Sequence, residues 1–213
     1  MIKFENTEVS GWESAIRGMR NPMNSWDKSD SLFWPGHMQI GKADLDLMKR
    51  LVASGTDHSK FMRFIIVTAD ITAPLYWYKE DETYKVGTVS NSCSTMHKIQ
   101  AKEFTIDDFS HEHLLSDEPI PTRFYSAEGM MEATVENLNM FRKLYLETKD
   151  KCYWWQMIQL LPSSYNKKRS MMLNYAVLRN IYFARRDHRL DEWHDFCKWI
   201  EKLPFSELIT LEK

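Results

Sequence analysis

The segment from Leu160 to Trp193 constrains this chain most, because it places amides and a guanidinium on what otherwise reads as a buried helix. Leu160-Leu161-Pro162 should end one helix, since proline brings no N–H to continue the ladder. Ser163, Ser164 or Asn166 can then cap the next helix by accepting from its unpaired amides. The spacing predicts that this helix runs to about Arg186. Leu173, Val177, Asn180 and Ala184 form one stripe on it; Asn174, Leu178, Ile181 and Arg185 form the next, about 100° around. Arg179 points away from the Asn174/Arg185 stripe. A buried amide or guanidinium is costly unless paired, so Asn174, Asn180 and Arg185 must meet partners in the protein or in a ligand. An arginine with two amides suits a phosphate and the edge of a base or ring. From Leu160 to Leu190 there are seven Lys or Arg and one acid, Asp187, which fits an anionic ligand. A core helix whose amides are satisfied by neighbouring backbone is the competing reading of the same pattern.

Leu161-Pro162, Asn174, Leu178, Asn180, Arg185, His188 and Glu192 together resemble the C-terminal signature of the flavin-dependent thymidylate synthases. In that family a Leu-Pro turn leads into a helix that contacts flavin and dUMP. The resemblance implies that Asn174 and Asn180 match the flavin-side amides and Arg185 the nucleotide-phosphate arginine. Two positions depart: Ala176 stands where the family has Arg, and Ile158 replaces another nucleotide-binding Arg. A second stretch aligns more loosely. It puts Ser59 and Arg63 on a Ser and a His of the family, and Thr83-Tyr84-Lys85 on its flavin-holding Arg-His-Arg. Thr88, Ser90, Asn91 and Cys93 then fall on Ser, Asn, Glu and Ser. The resemblance implies a helix-rich α/β (α+β) fold with a small central sheet, a homotetramer, and binding sites between subunits. Because the Arg-His-Arg motif is missing, the expectation is a divergent member with no cofactor: a protein that binds or sequesters a nucleotide through Arg63, Lys85, Thr88, Ser90, Asn91, Asn174, Asn180 and Arg185. The alternative is an FAD-dependent thymidylate synthase methylating dUMP with methylenetetrahydrofolate and NADPH. That chemistry belongs to the cofactor, so a chain that cannot hold flavin cannot run it.

Composition bounds these readings. The 213 residues fit a single domain, 1–213. No apolar run is long enough to span a membrane and no charged-then-apolar leader opens the chain. Cys93, Cys152 and Cys197 are too few and scattered for a disulfide framework or a zinc site, so a cytoplasmic location is expected. A formal charge of −2 lacks the footprint of a nucleic-acid polymer binder.

Elsewhere, Met1 to Phe4 reads as a strand and Val9 to Met19 as a helix burying Trp12, Ala15, Ile16 and Met19. The segment Met23 to Gly41 has no period and reads as an irregular loop packed by Trp26, Phe33 and Trp34. Asp44 to Ala53 is helical, Phe64 to Asp70 a buried strand, and Pro74 opens a helix through Lys79. The segment from Lys85 to His97 is rich in hydroxyls, a loop that either cradles a phosphate or sugar or is simply solvated. Glu103 to Glu118 carries six acids with His111 and His113, which reads as a solvated acidic face rather than a metal site. Ser126 to Lys149 and Tyr153 to Leu161 are helices too apolar to face water entirely, and Trp193 to Ile200 packs last.

Overall fold

The structure, a computed structural model, describes residues 2–116 and 126–212; Asp117, Glu118, Pro119 and Pro121 of the acidic stretch lie outside the described residues. Helices and strands are mixed. Four strands hydrogen-bond side by side in the order β1 (Lys3–Ser10), β4 (Ile66–Pro74), β6 (Asn166–Asn174), β5 (Val89–Ser92). A separate hairpin pairs β2 (Leu32–Trp34) antiparallel with β3 (His37–Gln39). The helices are α1 (Trp12–Arg20), α2 (Lys42–Ala53), α3 (Leu75–Asp81), α4 (Thr95–Lys98), α5 (Ala127–Thr148), α6 (Lys151–Leu160), α7 (Tyr175–Arg185), α8 (Asp191–Glu201) and α9 (Glu207–Thr210).

The chain divides into two compact units. Unit 1 comprises Met1–Lys3, Thr72–Glu82 and Asn91–Arg169; unit 2 comprises Phe4–Ile71, Thr83–Ser90 and Ser170–Lys213. Unit 1 is built around α5 and α6. Ser126 caps α5 by accepting from the Gly129 N–H, and Asp150 caps α6 by accepting from that of Cys152, as short polar residues do at helix starts. Their apolar sides close over Leu138 and Met157, which are fully buried beside Ile99, Phe104 and Phe109. Of the apolar residues of α5 only Leu138 is fully buried, while Met130 remains 54% exposed.

Unit 2 has an aromatic core. Trp12, Ala15, Ile16 and Met19 of α1 are buried as their spacing predicts, but Val9 and Ser10 belong to β1. Gly11 makes the corner with φ 88°; a Cβ there would sit 1.9 Å from the Phe64 carbonyl oxygen, so no other residue fits without moving backbone. Trp12 meets Tyr175 edge-on at 5.3 Å. Trp193, Phe196 and Ile200 of α8 are fully buried, each burial contributing about 1.5–3 kcal/mol.

Several expectations about the elements need correcting. The predicted strand from Phe64 instead begins at Ile66 and runs to Pro74, with Val67, Ala69, Ile71 and Ala73 buried in strict alternation. The Met23–Gly41 segment is not packed by its aromatics, since Trp26 and Trp34 are about half exposed. Buried Asp44 organises it instead, accepting from Arg20, from the Ser29 and Ser31 hydroxyls and from the amides of Asp30 and Ser31. The largest correction concerns the long helix to Arg186: Asn166–Asn174 is a strand, and only Tyr175–Arg185 is helical. Ser163, Ser164 and Asn166 cap nothing. Pro162 to Tyr165 forms a turn, with the Tyr165 N–H on the Pro162 carbonyl, and the Tyr76 N–H donates to the Ser163 carbonyl.

Candidate functional site

Asn174 joins strand to helix. It is 8% exposed, and its side-chain oxygen accepts from the Val177 N–H at 3.0 Å, capping α7. Its amide nitrogen faces the loop before β5: a Cβ on Gly87 would come within 3.0 Å of Asn174 Nδ2 and 3.1 Å of Val177 Cγ2. Gly87 has φ 82°, so this close approach needs glycine twice over, for its backbone and for its missing side chain. The loop is braced by Thr88, whose hydroxyl donates to the Tyr84 carbonyl at 2.8 Å. Lys85 and Thr88 therefore belong to the segment lying against the start of α7; Lys85 is exposed.

At the far end of α7 an aromatic clamp holds Arg185. Its Nε donates to the Tyr84 hydroxyl at 2.8 Å, and its guanidinium lies 4.9 Å from the Trp193 ring centre and 5.5 Å from that of Tyr84. Trp193 is fully buried. A guanidinium held between aromatic rings in this way has its direction fixed. Tyr84 and Trp193 orient the residue that sequence reading selected. The signal for them was weak, because Tyr84 is 101 residues from Arg185 along the chain.

A cavity of about 570 Å³ lies within unit 2, walled by Ser59, Met62, Ala176, Arg179, Asn180 and Phe183 among others. It brings together Ser59 and Asn180 from the two stretches that carry the family resemblance. Ala176, in place of a family Arg, leaves space there. Asn180 is exposed rather than set in an apolar face, because α7 turns that side toward the cavity. Arg179 does not point idly away: it lines the same cavity and donates to the Ile209 carbonyl at 2.6 Å. Arg186, also on the wall, pairs with Glu212 at 2.9 Å. Arg63 is exposed at the end of a short 3-10 helix, Lys60–Arg63, and Ser90 and Asn91 are exposed on β5. None of these three lines the cavity.

Unit 1 holds a cluster that sequence reading missed. Asp81 is 5% exposed, and among the described residues its Oδ1 has no hydrogen-bond partner; Arg169 Nε is likewise buried without one. Burial pushes the Asp81 carboxyl up to about 6 against the opposing pull of Arg169, and Glu82 adds to the rise. Arg169 donates to Glu82 at 3.2 Å and lies 3.9 Å from the Tyr78 ring centre. Cys93 and Cys152 are exposed free thiols, and Cys197 is buried. Among the described residues no group of three or more His, Cys, Asp or Glu is placed to hold a metal ion. No described helix is long and apolar enough to cross a membrane.

No family profile matches the sequence, and no curated protein matches it. Solved structures do. Thymidylate synthase X from Helicobacter pylori, with FAD and dUMP, is similar over 100% of this chain and 98% of its own, with a TM-score of 0.68 and 17% identity. The UMP/dUMP methylase PolB from Streptomyces cacaoi, bound with 5-Br dUMP, is similar over 99% of this chain and 95% of its own, with a TM-score of 0.60 and 16% identity. At such identities the likeness speaks to architecture, and over its whole length this chain has the fold of the flavin-dependent thymidylate synthases.

Proposed function

We propose that this protein binds a nucleotide through α7 and the residues that face it, and that it has left the flavin chemistry of its structural neighbours. One observation carries the reading: Ser59 and Asn180, which are 121 positions apart in the numbering, wall a single cavity of about 570 Å³ on α7. A concave, partly apolar site with a few convergent polar groups is the usual form of a small-ligand site. Arg185, presented by Tyr84 and Trp193 at the end of the same helix, is the residue we assign to a phosphate. The neighbours' dUMP and 5-Br dUMP favour a pyrimidine nucleotide.

The residues present do not fit a flavin dinucleotide. Its pyrophosphate calls for cationic donors, yet of Thr83, Tyr84 and Lys85 only the lysine is charged, and the Tyr84 hydroxyl is engaged by Arg185. The two arginines of the cavity already serve the Ile209 carbonyl and Glu212. The fold's association with FAD and dUMP in the Helicobacter protein favours a second reading, a flavin-dependent methyl transfer to dUMP. Colour separates the two: a colourless preparation is expected, and stoichiometric flavin absorbance would reverse the ranking. Assembly enters because Met140, Leu146, Trp155 and Leu160 on α5 and α6 are each more than a third exposed. We assign this surface to a homotetramer with the nucleotide site between subunits, and light scattering that reports a monomer at micromolar concentration would remove that part.

Calorimetric titration with UMP, dUMP, cyclic nucleotides and FAD tests the binding itself. Arg185→Ala deletes a charge-assisted bond worth roughly 1.5–3 kcal/mol, on the order of a 10- to 150-fold loss. Wild-type affinity retained by both Arg185→Ala and Asn180→Ala would remove α7 from the site.

A further inference from the structure

Unit 1 contains a second cavity, of about 670 Å³, whose wall carries five lysines: Lys3, Lys98, Lys102, Lys167 and Lys168. Asp107, Asp108 and Glu112 share that wall, leaving an excess of two positive charges in a chain whose formal charge is −2. Lys102 is committed, since it is bonded to Asp108. Lys3, Lys98 and Lys167 have no ion-pair partner among the described residues.

Lys167 is the most telling of the three. It is only partly exposed, and burial together with the Arg169 guanidinium holds its ammonium below the usual lysine range. Arg169 pairs directly with Glu82 at 3.2 Å, whereas Lys167 feels Glu82 only at longer range and makes no ion pair among the described residues. A desolvated cation beside another cation is costly unless an anion joins it. Buried Ile99, Phe104 and Phe109 also line the cavity and lower the local dielectric, which strengthens any ion pair formed there. Tyr165 adds a hydroxyl that stays protonated, because burial and the nearby Asp108 carboxylate raise its pKa.

We infer that this cavity binds a small polyphosphate, a ligand with at least two linked phosphate groups, through Lys3, Lys98 and Lys167. A single phosphate monoester, about −1.5 to −2 at neutral pH, matches the wall's net excess of two, whereas linked phosphates present more oxygens for Lys3, Lys98 and Lys167 to share. Lysine acts on phosphate as a point charge with no fixed fork, so the site reads charge ahead of shape. The inference does not rest on the α7 reading: the cavity lies within unit 1 and requires no nucleoside.

The test is calorimetry on the full chain with inorganic phosphate, pyrophosphate and tripolyphosphate at one fixed ionic strength, since screening scales all such contacts. Pyrophosphate should bind at least ~10-fold tighter than phosphate, and Lys98→Gln with Lys167→Gln should lose on the order of 100-fold for pyrophosphate. Lys42→Gln, on the exposed surface of α2, should match wild type. If the double variant loses its circular dichroism signal, Lys98→Gln alone, an exposed change, should still lose ~10-fold. A comparison of tripolyphosphate with dUTP then separates a free polyphosphate from a nucleoside-borne one. Pyrophosphate binding no tighter than phosphate, or unchanged in the lysine variants, overturns the inference. Because pyrophosphate carries no base, failure here and failure of the α7 site are read on different ligands.

Discussion

Asp44 in unit 2 and Asp81 in unit 1 are both buried carboxylates, and their surroundings are opposite. Asp44 has no exposure and both its oxygens are occupied, Oδ1 by Arg20 at 2.7 Å and Oδ2 by Ser29, Asp30 and Ser31. Burial alone would raise its pKa, but the Ser29 and Ser31 hydroxyls and Arg20 outweigh that and hold it below the ordinary value. Asp81 is almost as deeply buried, yet its Oδ1 has no partner and its pKa rises to about 6. Burial is thus not what decides whether a charge is tolerated; the number of donors aimed at it is. Asp44 pins a segment with little apolar packing of its own. Asp81 and the Nε of Arg169 mark polarity in unit 1 that no described group satisfies.

Breaking the satisfied centre should have the largest effect. Arg20→Ala leaves Asp44 buried with an uncompensated charge, and a loss of about 3–5 kcal/mol is expected from urea unfolding at neutral pH. A loss below about 1 kcal/mol would mean that the serines alone suffice. The Asp44 contribution is present above the ordinary carboxylate value and fades as pH falls through its lowered folded value, so Arg20→Ala should also flatten the acid limb.

The unsatisfied centre should respond with the opposite sign. Its folded carboxyl titrates near 6 and an unfolded one near 3.8, so the native state holds the extra proton between those values. Stability from this group is therefore full below the lower value and is lost as pH rises through about 6. Asp81→Asn removes the charge at constant shape. It should stabilise by roughly 1–3 kcal/mol at pH 8 and by almost nothing near pH 4, read from melts across that range. Destabilisation at pH 8 would mean that the pull of Arg169 outweighs the desolvation. At the exposed extreme, the Lys42–Asp46 pair spans 3.0 Å with the lysine 90% exposed, and Lys42→Ala should shift stability by less than about 0.5 kcal/mol. A larger shift in that variant would undo the contrast between buried and solvated pairs.

The sequence by itself determined the elements whose signals are local. Periodicity and helix-start signals are written within a few residues, so α1 with its buried face, Pro74 ahead of α3, the start of α5 at Ser126 and the apolar side of α8 could be read directly. The resemblance along 160–193 likewise led to the fold, and it picked out Asn174, Asn180 and Arg185. What only the tertiary structure decided was what those residues face. Asn166–Asn174 carries helix-tolerant Lys, Arg, Met and Leu, yet hydrogen bonding between β4 and β5 makes it a strand, because ladder partners from distant parts of the chain outweigh a weak local preference. Asn174 thereby became a cap at the strand's end, and its nearest constraint, Gly87, lies in a different segment of the chain. The Tyr84–Arg185 bond, the Ser59–Asn180 cavity and the stranded charge on Asp81 have the same origin: each depends on which distant groups arrive, or fail to arrive, around a polar atom once the chain is packed.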